Sequence, residues 1–304
     1  MPMDDFEAFF QPKDSIDEIY RLYRDGHSEP VVRGRHYIEQ LWKECASFVD
    51  PDARDRAARD VYPVFWELQL AHSLIHAGKH LVPRRELQYR NNAGPDFFAR
   101  DPNVWIEATA VRSGVGPDAL QEAELGKIYD HDYDGLILRL RSAVEEKARK
   151  IRTYVERGII RSSDATVIAI STAALPNRYR FTCGLPPEIV RSVYPTGDPV
   201  LEISRDTLTI VDRYFAYRDA VKKKIGADVS TDIFLQPEFA HISAVLCSES
   251  DWVNRSDPPG ADFTVVHNHS ANVPLPDGWW SLGIEYWWRP GGRIEHISHE
   301  HISG

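Results

Sequence analysis

Two acidic residues, Asp96 and Glu107, stand where a pair of short strands is predicted. Asp96 ends the loop that enters the first strand, and Glu107 lies near the middle of the apolar second strand, Val104–Ala110. A carboxylate in an apolar strand is costly to bury unless it is paired or binds a metal. We therefore expect Asp96 and Glu107 to hold a hard divalent cation, which prefers oxygen ligands. A hairpin with an edge Asp and a solvent-facing Glu is the alternative, and the sequence leaves it open.

Two more charged residues interrupt the apolar stripes of predicted helices on either side of this strand pair. Residues 62–78 form a predicted helix whose apolar stripe contains Glu67, so Glu67 lies at the edge of the stripe or points at a charge. Residues 136–158 form a second predicted helix, and Lys147 occupies an apolar position of its stripe. A lysine there should project toward the core, where it is unfavourable unless it meets an anion.

The other elements follow from periodicity and composition. The nearly continuous apolar run at 165–171 is typical of a central strand buried on both faces. Two more strands are predicted at 241–246 and 262–266, and residues 206–225 are predicted to form a helix that ends in three lysines. The first 60 residues look helical, with an early helix that begins after Asp14 or Ser15.

Bulk composition limits the class of protein. The chain has 304 residues, three widely spaced cysteines and a net charge of -10. A disulfide framework or a thiolate zinc site is therefore not expected, and charge alone would not attract a polyanion. No apolar run approaches the length of a membrane span and the N-terminus is acidic, so we expect a cytoplasmic protein without membrane contact.

The order of these features resembles that of the PD-(D/E)XK nuclease superfamily, the fold of many restriction and repair endonucleases. The matching residues are Pro95 and Asp96, followed after ten residues by Glu107, Ala108 and Thr109. The resemblance covers roughly residues 62 to 172. It implies an α/β fold with a restriction-endonuclease-like mixed β-sheet core flanked by helices. We accordingly divide the chain into an N-terminal helical cap, residues 1–60, and a nuclease-like domain with a C-terminal sheet extension, residues 61–304.

The same resemblance implies a site that binds Mg²⁺ or Mn²⁺. Asp96 and Glu107 would be ligands, the backbone carbonyl of Ala108 a further ligand, and Glu67 a helper through water. Thr109 departs from the pattern, because the family usually has a lysine two residues after the Glu. Two explanations remain open: Lys147 reaches the same point from the following helix, or the site has decayed and the domain only binds.

These observations predict a Mg²⁺-dependent endonuclease that hydrolyses phosphodiester bonds of DNA, in bacterial defence or genome maintenance, with RNA left open as a substrate. Since the chain is acidic, a homo-oligomer or a protein partner would supply part of the affinity for DNA. The alternative function is a catalytically decayed nuclease-fold module that binds nucleic acid or a protein. A second rival is a metal-dependent hydrolase of another class that uses His267 and His269 or the histidines at 296–301.

Overall fold

The chain forms a large mixed sheet flanked by helices. The computed structural model describes residues 7–11, 14–87, 94–122, 132–176, 185–289 and 292–299. The α-helices in these ranges are α1 (Glu18–Asp25), α2 (Glu29–Cys45), α3 (Ala53–Ala57), α4 (Val61–His76), α5 (Tyr133–Glu156) and α6 (Glu188–Val193). The strands are β1 (His80–Leu81), β2 (Phe97–Arg100), β3 (Val104–Ala110), β4 (Ala165–Ser171), β5 (Thr196–Ile203), β6 (Ile210–Tyr217), β7 (Ala220–Lys222), β8 (Asp228–Ser230), β9 (Ala244–Ser248), β10 (Thr264–His267), β11 (Gly283–Arg289) and β12 (Arg293–His299).

Eight strands form the main sheet in the order β1-β2-β3-β4-β9-β10-β11-β12. Strands β3, β4 and β9 are parallel neighbours, as are β10 and β11, whereas the other adjacent pairs are antiparallel. Helix α5 connects the parallel strands β3 and β4, which cannot be joined by a tight turn. The prediction of a mixed sheet between helices is confirmed.

The centre of the sheet is covered on both faces. Every residue of β4 is buried, as its apolar run predicts. Alternate side chains of β4 enter two different apolar clusters: Val167 and Ala169 pack with α4 and the N-terminal helices, and Ile168 and Ile170 pack with α5. The sheet therefore has an α4 face and an α5 face.

Asp17 joins the starts of two helices in the N-terminal part. Its carboxylate accepts a hydrogen bond from the N–H of Tyr20 at 2.7 Å, which caps α1, and one from the N–H of Val61 at 3.1 Å at the start of α4. Both donors belong to first turns, which lack partners within the helix. The cap is therefore Asp17 and not Asp14 or Ser15, because the hydroxyl of Ser15 donates to the carbonyl of Ala58.

We expect Asp17→Ala to lower the free energy of unfolding by about 1–2 kcal/mol, since it removes a helix cap and leaves a second donor unpaired. Asp14→Ala is the matched control, because Asp14 is exposed and makes no hydrogen bond within the described ranges. Urea denaturation followed by circular dichroism measures both. Equal stability of the two variants would contradict the assignment of the cap.

The helix predicted at 206–225 is wrong. Residues 196–217 form the antiparallel hairpin of β5 and β6, and residues 220–230 contain the short hairpin of β7 and β8. The segment that becomes β6, Ile210–Tyr217, is rich in β-branched and aromatic residues, which favour strands. Leu208 has a φ of 54° in the connecting turn, a left-handed conformation that a continuous right-handed helix does not contain. The three lysines consequently lie at the end of β7 and in its turn.

No helix among residues 7–11, 14–87, 94–122, 132–176, 185–289 and 292–299 has the length and apolar character needed to cross a membrane.

Candidate active site

Asp96 and Glu107 lie side by side at the end of the β2–β3 ladder. The last pair in the register is Phe97 with Ile106, so Asp96 stands opposite Glu107 just beyond it. The Asp96 carboxylate accepts a hydrogen bond from the N–H of Ala108 at 2.7 Å. Its side chain thus takes the place of the backbone acceptor that the next residue of a longer strand would supply.

The loop that carries Asp96 is anchored by an arginine from the preceding segment. Arg84 donates to the carbonyl of Pro95 at 2.6 Å and pairs with the carboxylate of Asp50 at 2.6 Å. Since the Arg84 side chain is 10% exposed, this pairing is largely shielded from water. It holds the backbone just before Asp96 in position.

Glu107 is fully buried and meets two lysines. It points toward the α5 face, where Lys147 Nζ lies 3.0 Å and Lys150 Nζ lies 2.5 Å from its Oε1. The other oxygen, Oε2, is buried and has no hydrogen-bond partner among the described residues. A buried carboxylate oxygen without a partner is unfavourable by about 1–3 kcal/mol or more, so a ligand in this position would stabilise the site.

The two lysines differ in how firmly they are held. The Lys147 side chain is 14% exposed and the Lys150 side chain 47% exposed. Burial by itself would lower the pKa of Lys150, but the charge of Glu107 and its hydrogen bond raise that pKa above its ordinary value. Lys147 is therefore a fixed part of the site, whereas Lys150 can turn toward solvent.

Sequence reasoning missed Lys150 and the neighbouring Tyr154. The spacing from Lys147 to Lys150 and Tyr154 is i, i+3 and i+7, which lies on one face of a helix. In the sequence, Lys150 belongs to a run of basic residues that is typical of a solvated helix face. Burial and the charge of Glu107 raise the pKa of the Tyr154 hydroxyl, which borders the site beside Lys150. The helical spacing from Lys147 was the signal that would have identified both.

Glu67 lies close enough to Asp96 for its charge to raise the Asp96 pKa. Its carboxylate is already paired with Arg56. Its two carboxylate oxygens accept hydrogen bonds from Arg56 at 2.8 and 2.7 Å, and its side chain is 12% exposed. Arg56 also contacts Asp52 at 3.1 Å. The charge to which Glu67 points is thus an arginine on α3, and any help to a metal would be indirect.

Thr109 is half-buried and follows Glu107 by two residues on the same face of β3. The ammonium that the family pattern has at this position is absent, and Lys147 on α5 brings one to Glu107 instead. Arg112, the other basic residue near the strand end, contacts Asp60 and lies over the ring of Tyr62. The expectation that Lys147 meets an anion is confirmed.

The carbonyl of Ala108 points past the end of β2. Backbone groups of a strand alternate between its two neighbours, and the N–H of Val111 donates to Ser171 of β4. The odd-numbered residues of β3 therefore face β4, and Ala108 directs its N–H and carbonyl to the side of Asp96. The carbonyl, Glu107 Oε2 and the Asp96 carboxylate make up a set of hard oxygen donors.

This donor set fits Mg²⁺ or Mn²⁺ better than a metal that prefers nitrogen or sulfur ligands, such as Zn²⁺ or Cu²⁺. The described part of the chain contains no group of three or more His, Cys, Asp and Glu residues arranged to hold a metal ion. Mg²⁺ uses one or two carboxylates and keeps several waters, so it does not need such a group. The fit depends on the partnerless Oε2 of Glu107.

The surroundings of Asp96 raise the pKa of its carboxyl group well above the ordinary value of 3.8. Burial and the charges of Glu107 and Glu67 raise its pKa to about 7, against the smaller opposing effects of Lys147 and the Ala108 N–H. A pKa near 7 means that the site disfavours the charged form of this carboxylate. A bound metal cation would stabilise the charged form.

We expect the metal-free chain to lose stability as pH rises. Between 3.8, the ordinary pKa of aspartate, and about 7, the folded state binds more protons at Asp96 than the unfolded state, so the free energy of unfolding falls through this window. Each pH unit contributes at most about 1.4 kcal/mol. Urea unfolding in EDTA at about pH 5 and about pH 8 should show a smaller decline for Asp96→Asn than for wild type. The same decline in both proteins would contradict the raised pKa.

The histidine-rich C-terminal strands form a different arrangement. The carboxylate of the buried Glu285 accepts hydrogen bonds from His267 Nε2 at 2.9 Å and from His299 Nε2 at 2.9 Å, one on each oxygen. His296 lies on β12, and residues 300 and 301 are outside the described residues. Glu285 is therefore internally satisfied, unlike Glu107.

Several arginines of α5 donate hydrogen bonds to backbone carbonyls of other segments of the chain. Arg139 donates to the carbonyl of Arg112, Arg141 to the carbonyl of Ser230, and Arg152 to that of Glu238. These guanidinium groups hold neighbouring loops, so fewer of them face a ligand than the charge run of the helix suggests.

No family model matches this chain, and no significant similarity to a curated protein or a solved structure is found. What the site can do must therefore be inferred from its own geometry and chemistry.

Proposed function

We propose that this protein is a Mg²⁺-dependent nuclease that hydrolyses phosphodiester bonds of DNA, with Mn²⁺ as an alternative cofactor. One observation carries the proposal: Lys147 brings its ammonium within 3.0 Å of Glu107, whose second oxygen is buried without a partner. Two acids and a lysine at one point are the donor set that the resemblance implies, and the lysine arrives from a helix where Thr109 leaves the strand without one.

The order of elements supports a restriction-endonuclease-like core. Helix α4, strands β1, β2 and β3, helix α5 and strand β4 follow one another in the α-β-β-β-α-β order of that superfamily. Asp96 immediately precedes β2 and Glu107 lies on the adjacent strand β3, near the β1 edge of the sheet. In the described part of the chain, only the two-residue strand β1 pairs with β2 on that side, which supports an approach of a phosphodiester backbone to the acids along this edge.

Each residue has a separate task in this proposal. Asp96, Glu107 Oε2 and the Ala108 carbonyl would hold the cation. A bound Mg²⁺ supplies charge stabilisation at the phosphoryl oxygens and lowers the pKa of an attacking water. Lys147 keeps Glu107 oriented through Oε1, and its fixed charge also acts on the developing negative charge nearby. Arg56 keeps Glu67 in place and limits the negative charge around Asp96.

The alternative function, a decayed module that only binds, also has an observation in its favour. The ammonium groups of Lys147 and Lys150 together balance the charges of Asp96 and Glu107 without a metal ion. We prefer the nuclease, because Lys150 is half-exposed and free to leave Glu107 when a cation or a phosphate enters. A decayed site would also gain nothing from the partnerless oxygen of Glu107.

Incubation of supercoiled plasmid with the purified chain tests the choice between these functions. We expect relaxed and linear DNA with Mg²⁺ or Mn²⁺ and unchanged plasmid with EDTA. Bound but uncut plasmid with either metal would support the binding module. A parallel incubation with single-stranded RNA separates DNA from RNA specificity.

A further inference from the structure

A cavity of about 430 Å³ lies beside the candidate active site. The rings of Phe98 and Trp105 line it, together with the side chains of Asn103, Asp164 and Arg161 and the backbone at residues 158–159. The two rings stack on each other with centroids 4.2 Å apart and an interplanar angle of 25°. The cavity thus has an aromatic wall and a polar wall.

The cavity and the candidate active site share one face of the same two strands. Phe98 pairs with Trp105 in the β2–β3 register, and Asp96 stands opposite Glu107 two residues further along. Residues i and i+2 of a strand lie on the same face about 7 Å apart. Trp105 and Glu107 are therefore neighbours at a separation that a single nucleotide spans.

Hydrogen bonds between side chains hold part of the polar wall in place. Asp164 is 9% exposed and accepts hydrogen bonds from Trp105 Nε1 at 2.9 Å and Asn103 Nδ2 at 3.2 Å. A carboxylate has about four acceptor sites, so Asp164 keeps capacity for another donor. Arg161 is exposed and has no ion-pair partner in the described ranges, so its guanidinium is available to an acceptor.

These features match a nucleobase. A base offers a flat π-face for stacking, amino groups that donate to a carboxylate, and ring nitrogens or carbonyls that accept from a guanidinium. Aromatic stacking contributes about 1–3 kcal/mol per base. A base that is paired inside a duplex cannot enter such a cavity without leaving the stack.

We propose that this cavity binds an unpaired base next to the scissile phosphate, and that the substrate is single-stranded or locally unpaired DNA. The inference rests on the proposed function, because the neighbouring acids define which phosphate is cut. It goes beyond that function by naming the state of the DNA that the site accepts.

Binding of short oligonucleotides that carry one 2-aminopurine tests the cavity without any cleavage. The probes are single strands and matched duplexes, each mixed with the full chain in EDTA and in Ca²⁺. We expect tighter binding of the single strand, and a fall in 2-aminopurine fluorescence as the base stacks in the cavity. Phe98→Ala and Arg161→Ala should each weaken single-strand binding roughly tenfold and remove the fluorescence change.

Arg205→Ala is the matched control, since it removes the same charge from an exposed residue at the far turn of the β5–β6 hairpin. Arg161 is exposed, so its variant keeps the test decisive if Phe98→Ala fails to fold. Unchanged binding by Arg161→Ala, equal affinity for single strand and duplex, or no binding of either probe would overturn the inference. Cleavage of plasmid in any of those cases would leave the proposed function standing. If the base stacks but the plasmid is not cleaved, the proposed nuclease function fails, whereas the proposal that the cavity binds an unpaired base stands.

Discussion

Glu107→Gln is expected to abolish metal-dependent cleavage. The substitution keeps the size of the side chain but removes the charge that would hold the cation at the partnerless Oε2. A bound metal contributes several kcal/mol of transition-state stabilisation, and about 1.4 kcal/mol corresponds to a tenfold change in rate. We therefore expect a loss on the order of a thousandfold in the rate of plasmid cleavage with Mg²⁺.

Glu285→Gln is the matched control for this variant. Glu285 is also a buried glutamate of the main sheet, 1% exposed, but His267 and His299 occupy both of its oxygens. Cleavage by Glu285→Gln should equal that of wild type. Loss of cleavage in Glu285→Gln with retention in Glu107→Gln would move the chemistry to the histidines and contradict our assignment. Circular dichroism confirms that each variant is folded before its rate is compared.

Lys147→Met should lower the cleavage rate by roughly a hundredfold or more while divalent binding persists. Removal of one preorganised charged or hydrogen-bonding group from an active site typically lowers kcat by about 10²–10³. The affinity for Mn²⁺ should stay the same or rise, because a cation next to the site has been removed. A lysine that only stabilised the fold would instead lower the unfolding temperature and leave kcat per folded molecule unchanged.

Lys150→Met provides the comparison within the same helix. Lys150 contacts the same oxygen of Glu107 but is 47% exposed, against 14% for Lys147. We expect its loss to reduce cleavage by less than about tenfold, because water screens its half-exposed ammonium. A larger effect at Lys150 than at Lys147 would contradict the assignment of Lys147 as the replacement for the lysine missing at Thr109.

The parts of this fold that the sequence predicts are those with a strong local pattern. Strand β3 has the predicted bounds Val104–Ala110, and the apolar run at 165–171 becomes the buried strand β4. The sequence singles out Lys147 because a charge in an apolar helical stripe needs a partner. Its partner is Glu107, the other charge that had no local explanation.

The parts that the sequence does not predict depend on contacts between distant residues. Glu67 is neutralised by Arg56, which lies on a different helix, α3, and no local pattern links the two. Lys150 lay in a run of basic residues, where one charge that turns inward looks like its solvated neighbours. Part of the hairpin at 196–217 is predicted as a helix because most residues of its strands are exposed, which weakens the alternation that marks a strand.

Anomalous diffraction from crystals grown with Mn²⁺ tests the central claim most directly. We predict one peak bounded by the Asp96 carboxylate, Glu107 Oε2 and the Ala108 carbonyl, with oxygen distances of about 2.0–2.2 Å. The peak should be absent in Glu107→Gln and present in Lys147→Met. A site without Mn²⁺ whose two acids stay bonded only to Lys147, Lys150 and Ala108, or a peak at the histidines around Glu285, would contradict it.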